Sequence, residues 1–449
     1  MGKLFGTDGI RGVANRYPMD AETALKAGRA IAEFFKSDRQ QVKLLVGKDT
    51  RVSGDMLENA LIAGITSTGT DAVRLGVIPT PAVAYLTAKI NAGGGVVVSA
   101  SHNPFYDNGI KVFGGDGFKL CEADEGRIER MILDDAFEED IRDIRDTGRM
   151  NAHTIADDQY IEFLLNSLPS SISFQNIRIV LDCSNGATYR VAPRLFTELG
   201  AAVEVLAADP DGRNINDNCG SQHPQVLAGK VLEYKANLGL AFDGDGDRLI
   251  AVDEQGAVLT GDQLLALCAK ALKKNNALKN NVVVSTVMSN MGLPLALKNL
   301  GIDHIATPVG DRHVALKMRE IGAVLGGEES GHTIFMNHHT TGDGILAGLN
   351  LLQAMLDLEA PLSELGRTMT VFPQQLISVD VKQKPELATV PEIVAAIEVV
   401  EAQLGGKGRV LVRYSGTQPQ CRVMVEGPTA SETETYCRQI ADVIEQKLN

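Results

Sequence analysis

The run Asp243-Gly-Asp-Gly-Asp-Arg248 sets three carboxylates at alternate positions with glycine between them. Glycine lets the backbone curl tightly, so all three side chains can turn toward one hard cation. Like charges this close repel unless something neutralises them, which weighs against a merely solvated acidic turn. A calcium-binding EF-hand is the rival arrangement, because Asp243, Asp245, Asp247 and Glu254 fall at loop positions 1, 3, 5 and 12. Its sixth position needs glycine and is Arg248 here, and the flanking runs 238–242 and 249–252 read as strands. Mg2+ suits the run better, since it needs few protein ligands and takes the rest from water or phosphate.

A second centre is Gly95-Val-Val-Val-Ser-Ala-Ser-His-Asn-Pro104, an apolar stretch that reads as a buried strand ending in a turn at Ser101. In open α/β sheets ligands bind beyond the carboxyl ends of the strands, so a hydroxyl there is poised to meet a substrate. Pro104 constrains its own φ and pushes Asn103 out of helical geometry, and turn formation alone would account for these residues equally well. The aspartates change that balance. A phosphorylated Ser101 would carry a charge of about −1.5 to −2 and offer an oxygen to Mg2+ beside Asp243, Asp245 and Asp247. Arg248 would then be a charge-assisted donor to the same phosphate. Gly327-Glu-Glu-Ser-Gly-His332 combines carboxylates, a hydroxyl and an imidazole, a set suited to sugar hydroxyls. Arg413-Tyr-Ser-Gly-Thr-Gln-Pro419 offers a guanidinium, two hydroxyls and backbone N–H groups, which suits a phosphate monoester or, equally, an ordinary β-turn.

The elements that must carry these loops alternate. A helix is expected over 21–35, with Asp20 as N-cap and Leu25, Gly28, Ile31, Ala32 and Phe35 on one face. The apolar run Leu44-Leu-Val46, a helix over 56–67, a strand over 72–75 and a helix over 82–88 precede the Ser101 strand. The plan recurs: strands over 177–181 and 238–242 lead to the aspartates, and strands over 282–284 and 323–325 lead to Gly327. This is an α/β chain of three related α/β domains with mostly parallel mixed sheets, each contributing one loop. From about residue 370 the pattern changes to strands over 377–381, 410–412 and 422–425 with helices over 391–403 and from 431, a smaller C-terminal α+β domain. The expected segments are 1–152, 153–254, 255–368 and 369–449, arranged around a central cleft, and the acidic stretch 134–140 reads as a solvated helix end.

A chain of 449 residues is too long for one ordinary domain. No apolar run approaches the roughly 20 residues of a membrane span, and the first residues lack the apolar core of a signal peptide. A cytoplasmic protein with no membrane partner is expected. Six cysteines without a CxxC pair or zinc spacing read as reduced residues. The net charge of −14 argues against nucleic acid as a partner but not against a small phosphorylated substrate, which responds to the local field of its cleft.

Taken together, the serine, aspartate, Gly327–His332 and Arg413–Pro419 loops resemble, in order, the four signature loops of the α-D-phosphohexomutase superfamily, and the likeness runs from end to end. Phe5-Gly-Thr-Asp-Gly-Ile-Arg-Gly12, Gly47-Lys-Asp-Thr-Arg51 and Pro308-Val-Gly-Asp-Arg312 look like the bacterial branch that acts on the amino sugar. The resemblance implies Ser101 as the phosphorylated serine, and Asp243, Asp245 and Asp247 as Mg2+ ligands together with its phosphate. It implies Glu328, Ser330 and His332 for the sugar, Arg413, Ser415, Gly416 and Thr417 for the phosphate not being transferred, and Arg11 and Lys111 at the active centre. The family usually has Pro and Glu where this chain has Tyr414 and Gln418.

The implied reaction interconverts glucosamine 6-phosphate and glucosamine 1-phosphate through a sugar 1,6-bisphosphate that also serves as activator, feeding UDP-N-acetylglucosamine synthesis. Lys111 and His332 are the acid–base candidates, Arg248 and Lys111 stabilise charge, His102 shapes the loop, and Glu329 meets the C2 ammonium. A homodimer through the first domain is a further family expectation. The nearest rival is a phosphoglucomutase or phosphomannomutase with the same machinery. A serine hydrolase is disfavoured because the G-x-S-x-G elbow is missing around Ser101. A non-catalytic sugar-phosphate sensor would need no phosphorylatable nucleophile.

Overall fold

The computed structural model describes residues 4–6, 8–36, 42–134, 147–170, 172–415 and 419–449. They fall into two compact units, Met1–Met288 with Ile302–Arg367, and Ser289–Gly301 with Thr368–Asn449.

The larger unit holds three sheets. The first contains β1 (Ile10–Val13), β2 (Lys43–Lys48), β3 (Asp71–Val77), β4 (Gly94–Val98), β5 (Asp107–Gly114) and β6 (Met150–Ala152), in the order β1-β5-β4-β2-β3-β6. The second contains β7 (Arg178–Asp182), β8 (Ala202–Leu206), β9 (Leu238–Phe242), β10 (Leu249–Asp253) and β11 (Val258–Leu259), in the order β11-β10-β9-β7-β8. The third contains β12 (Val282–Thr286), β13 (Asp303–Thr307), β14 (Leu325–Gly327) and β15 (Thr333–Phe335), in the order β13-β12-β14-β15.

One plan underlies all three. Parallel strands β3-β2-β4, β8-β7-β9 and β13-β12-β14 are each followed by one antiparallel strand, β5, β10 or β15. The hairpin into that strand carries Ser101 in the first sheet, the three aspartates in the second and Glu328 to His332 in the third. The central strands are legible as apolar runs because both of their faces are covered: Leu44, Leu45, Val46, Val96, Val97 and Val98 are fully buried. Helices Ala21–Lys36, Gly54–Ser67 and Thr80–Lys89 belong to this first layer, and Asp20 caps the first of them, accepting from the Thr23 N–H at 2.7 Å.

Some boundaries differ from expectation for local reasons. β4 stops at Val98, before Ser101: the Ser99 N–H still donates to the Gly109 carbonyl at 3.0 Å, and its hydroxyl then donates to Asp49 Oδ2 at 2.6 Å and accepts from the Ser101 N–H at 2.9 Å as the chain turns. The strand expected over 323–325 lies at Leu325–Gly327. Helix Glu122–Leu133 ends beside Asp134, and 135–140 of the acidic stretch lie outside the described residues.

The smaller unit is an antiparallel sheet of β16 (Gln374–Asp380), β17 (Arg409–Tyr414) and β18 (Gln420–Glu426), with β18 central. Helices Pro391–Leu404 and Ala430–Leu448 cover it through a core that includes Val400, Val423, Cys437 and Ile440. Helix Gly292–Asn299 joins this unit. Among the described residues no single helix is long and apolar enough to cross a membrane, and the six cysteines are unpaired thiols.

Candidate active site

Ser101 sits at φ 52, the left-handed region, where a residue with a Cβ is disfavoured by about 1–2 kcal/mol. Its surroundings over-determine the conformation. Buried Arg51 donates from Nη2 to the carbonyls of Ser101 (2.9 Å) and Asn103 (2.7 Å), and from Nη1 to those of Asp107 (3.1 Å) and Pro104. Its Nε is taken by Asp49 Oδ2 at 2.9 Å. From the connection between β8 and β9, Asn216 Nδ2 reaches the same Ser101 and Asn103 carbonyls at 2.9 and 3.0 Å. The hydroxyl so placed donates to Asp243 Oδ2 at 2.5 Å and lies 3.3 Å from His102 Nδ1. Burial, followed by the charges of Arg248 and Arg11, pushes His102 down to about 4, so it is a neutral neighbour at physiological pH.

Asp243, Asp245 and Asp247 are buried with one oxygen from each within 4.8 Å of the others. Gly244 and Gly246 are needed in that hairpin. A Cβ on Gly244 would lie 2.6 Å from the Ser101 carbonyl, and Gly246 has φ 74. Asp245 Oδ2 accepts from Thr80 Oγ1 at 2.7 Å and Lys111 Nζ at 2.9 Å; the same ammonium lies 3.4 Å from Asp247 Oδ2 and 3.2 Å from Asp8 Oδ2. Burial, then the neighbouring Asp247 and Asp245, raises the Asp243 pKa well above the carboxylate range. Burial opposes ionisation of Asp245 too, but Lys111 holds its carboxyl below that range.

Asp245 Oδ1 and Asp247 Oδ1 are buried with no hydrogen-bond partner. Two carboxylate oxygens without hydrogen bonds, beside a third buried carboxyl, are the donor set a divalent cation would satisfy. The loop joins two antiparallel strands, which excludes the helix–loop–helix of an EF-hand.

Arg11 on β1 and Lys111 on β5 lie on paired strands and share Asp8, with Arg11 Nη2 2.5 Å from Asp8 Oδ2. Lys119 Nζ bridges Asp8 Oδ1 and Asp311 Oδ2, each at 2.5 Å. In the third sheet's hairpin, Glu328 Oε1 accepts from the Gly310 N–H at 3.2 Å, and burial raises its pKa. Ser330 Oγ and both ring nitrogens of His332 are buried without a hydrogen-bond partner. A backbone bridge between Arg248 and His332 ties the aspartate hairpin to this one. Arg248 Nε, buried and without a hydrogen bond, lies 3.8 Å from Asp247 Oδ1. Ser101, Arg11, Lys111, the aspartates, Arg248, Glu328, Ser330 and His332 thus all lie in the larger unit.

Arg413 and Ser415 belong to the smaller unit. Arg413 on β17 stands opposite Arg422 on β18, and burial together with that like charge lowers its pKa. The Ser415 carbonyl accepts from Lys384 Nζ at 3.1 Å, and the Tyr414 hydroxyl donates to the Pro385 carbonyl at 2.7 Å. Gly416, Thr417 and Gln418 lie outside the described residues.

Sequence reasoning missed Arg51, Thr80, Asn216, Asp8, Lys119 and Asp311 as members of this network. Arg51, Asp8 and Asp311 stood inside runs used for the resemblance, which was the available signal; Thr80, Lys119 and Asn216 had none.

Comparison with known proteins agrees with this geometry. The family described as phosphoglucomutase/phosphomannomutase matches in order: alpha/beta/alpha domain I over residues 2–139, domain II over 158–256, domain III over 260–372 and the C-terminal domain over 376–443. The chain belongs to this family, the α-D-phosphohexomutases. A phosphoglucosamine mutase of Syntrophus aciditrophicus (strain SB) is 58% identical over 448 residues, covering 100% of both chains, which puts this chain in the phosphoglucosamine mutase branch. A crystal structure of a phosphoglucomutase/phosphomannomutase family protein from Burkholderia thailandensis superposes with a TM-score of 0.81 at 25% identity, covering 99% of this chain and 98% of that one. The Aspergillus fumigatus N-acetylphosphoglucosamine mutase in complex with GlcNAc-6P and magnesium shares the fold, with a TM-score of 0.72 at 17% identity over 100% of this chain and 96% of that one.

Proposed function

We propose that this enzyme interconverts glucosamine 6-phosphate and glucosamine 1-phosphate through phosphorylated Ser101 and a sugar 1,6-bisphosphate. The observation that carries the reading is the Ser101 hydroxyl 2.5 Å from Asp243, at the edge of three buried carboxylates with two oxygens that accept no hydrogen bond. The relative from Syntrophus aciditrophicus bears the name of this activity, and the Aspergillus enzyme was solved with a sugar phosphate and magnesium. Asp243, Asp245 and Asp247 would hold Mg2+ together with an oxygen of phosphorylated Ser101. Bound there, the ion would offset the charge on the phosphoryl oxygens during transfer.

The protein's own groups do the rest. The bond from phosphorus to Ser101 Oγ breaks as one forms to the sugar hydroxyl, whose proton goes to a base. Lys111 is a poor base: burial opposes its charge, but Asp245, Asp8 and Asp247 hold its pKa well above the usual lysine value. It therefore serves as donor to the departing serine oxygen, and His332 takes the sugar proton. Arg248 and Arg11 neutralise charge at the transferring group. After the bisphosphate turns over, its other phosphoryl group returns to Ser101. Glu328 and Ser330 hold sugar hydroxyls, and Arg413, Ser415, Gly416 and Thr417 bind phosphate; the Arg413–Arg422 like-charge pair, which an anion would relieve, supports this role.

Glu329 is proposed to favour the C2 ammonium, so Glu329→Gln should lower the preference for glucosamine over glucose phosphate; an unchanged ratio removes that role. Family likeness extends the proposal to a cytoplasmic homodimer supplying UDP-N-acetylglucosamine synthesis.

The test is to measure kcat/KM with Mg2+ and a trace of sugar bisphosphate on glucosamine, glucose and mannose 1-phosphates, with Ser101→Ala as control. Preference for the amino sugar, lost in the variant, supports the proposal. Preference for glucose or mannose phosphate keeps the mechanism and makes the chain a phosphoglucomutase or phosphomannomutase. Full activity of Ser101→Ala overturns the mechanism.

A further inference from the structure

We propose that Asp311 is a positioning residue for His332, held in register by Lys119, which bridges it to Asp8 in the first sheet's domain. The inference rests on the reading of His332 as the group that takes the sugar proton.

His332 is buried, and neither ring nitrogen has a hydrogen-bond partner. One face of the ring presses on Gly342, where a Cβ would come within 2.4 Å of Nε2, so any side chain there would displace the imidazole. The polar contact that remains is Asp311 Oδ2, 3.5 Å from Nε2: too far for a good hydrogen bond, near enough for charge. An imidazole without hydrogen bonds has no fixed tautomer, and a carboxylate beside one nitrogen supplies the preference.

Asp311 is itself anchored. It opens helix Asp311–Ile321, and Lys119 Nζ sits 2.5 Å from its Oδ2 and 2.5 Å from Asp8 Oδ1. Asp8 in turn holds Arg11 at 2.5 Å and Lys111 at 3.2 Å. Charges therefore alternate from the Arg11 and Lys111 pair through Asp8, Lys119 and Asp311 to His332. Lys119 and His332, against the burial that would raise it, bring Asp311 down to about 2, and Asp311 and Asp8 keep Lys119 charged despite its burial.

This ordering has a chemical consequence. As a proton arrives on the imidazole, Asp311 stabilises the imidazolium, while Lys119 keeps Asp311 too acidic to capture the proton itself. The charged groups facing His332 are Asp311 from its helix and Glu328 from its own hairpin, while Arg248 is joined to it through the backbone and turns its Nε toward Asp247.

The test uses the full-length, Mg2+-loaded phosphoenzyme and four variants: Asp311→Asn, Lys119→Met, Lys119→Arg and His332→Gln. Two quantities are read: the acidic limb of the pH dependence of kcat, and the NMR titration of the His332 ring, assigned by its absence in His332→Gln. Asp311→Asn should shift both to lower pH, since it removes an opposite charge 3.5 Å from the ring. Lys119→Met should move both upward, because Asp311 then acts undiluted, and Lys119→Arg should restore the parent profile. Opposite shifts from two folded variants are not what a purely structural role would give. If Lys119→Met does not fold, the Asp311→Asn and Lys119→Arg profiles decide. A His332 titration in Asp311→Asn that overlays the parent overturns the inference, as do shifts of the same sign in both variants. If His332→Gln keeps kcat, the underlying assignment of the base fails instead.

Discussion

Replacing Asp247 by asparagine should separate what the three carboxylates cost from what they hold. Their oxygens lie within 4.8 Å of one another. At an effective dielectric near 20, two full charges at that distance repel by about 3.5 kcal/mol. Lys111, 2.9 Å from Asp245 and 3.4 Å from Asp247, offsets part of this, while burial and the two neighbouring carboxylates raise the Asp243 pKa. Asp247→Asn keeps the shape and removes one charge, so in chelator its thermal midpoint should equal or exceed that of the parent. With Mg2+ at about a hundred times its dissociation constant, the parent should gain about 2.7 kcal/mol by linkage. For a chain of 449 residues melting as one unit that is a midpoint rise of about 3 °C. The variant should gain little.

The pH dependence has a definite sign. Because the folded pKa of Asp243 is raised, its proton favours the folded state fully below the unfolded value, and that contribution fades as pH rises through the folded value. The cation competes with that proton, so the Mg2+ gain grows over the same window. Scanning fluorimetry at matched ionic strength, in chelator and in Mg2+ across pH, reads all of this; for a chain of several domains the midpoint is a comparative measure. A variant that melts below the parent in chelator yet keeps the full Mg2+ gain would refute the reasoning.

Other substitutions test the scaffold of the nucleophile and the buried acids. Ser101→Ala and Ser101→Gly should both abolish phosphoryl transfer, but the glycine form should be the more stable by up to about 1 kcal/mol, because φ at this position is 52; equal unfolding midpoints would argue against strain there. Arg51→Lys cannot reach the four loop carbonyls at once, so kcat should fall on the order of 100-fold with KM little changed, and a parent-like kcat would show that the loop holds itself. Asp343, raised to about 6 chiefly by burial, accepts from the Leu346 N–H and the Tyr160 hydroxyl. Its protonation favours the folded state below about pH 4, an advantage lost as pH rises through about 6. Asp343→Asn preserves the cap and should flatten the stability profile across that window; an unchanged slope assigns it to another group.

The strand-and-loop units were legible because buried parallel strands must be apolar on both faces, and because three aspartates with intervening glycines have few other uses. Strand order was not legible, since pairing between β2 and β4, or β7 and β9, joins segments far apart in the chain. The same distance hid the supports of Ser101. Asn216 is 115 residues from the carbonyl it holds, and Lys119 is 192 residues from Asp311. A single amide or ammonium acquires a role only when the fold delivers its partner. Tyr414 shows the converse: where the resemblance led one to expect proline, its hydroxyl is engaged with the Pro385 carbonyl in its own unit.

The recurrence of one hairpin position in three sheets explains how such distant residues converge. Where the third parallel strand turns back into its antiparallel neighbour, the chain must reverse at the carboxyl end of the sheet, where α/β folds present their ligands. Backbone contacts then tie the aspartate hairpin to the third sheet's domain: the Gly331 carbonyl accepts from the Leu249 N–H at 3.1 Å, Arg248 bridges His332, and the Gly246 carbonyl accepts from the N–H of Gly344, which opens helix Gly344–Leu358, at 3.0 Å. Such ties do not depend on the side chains they align. Substitutions at Asp311, Lys119 or Asp247 can therefore change charge while leaving the hairpins in place, so shifts in their pH profiles or Mg2+ response report electrostatics and not a rearranged site.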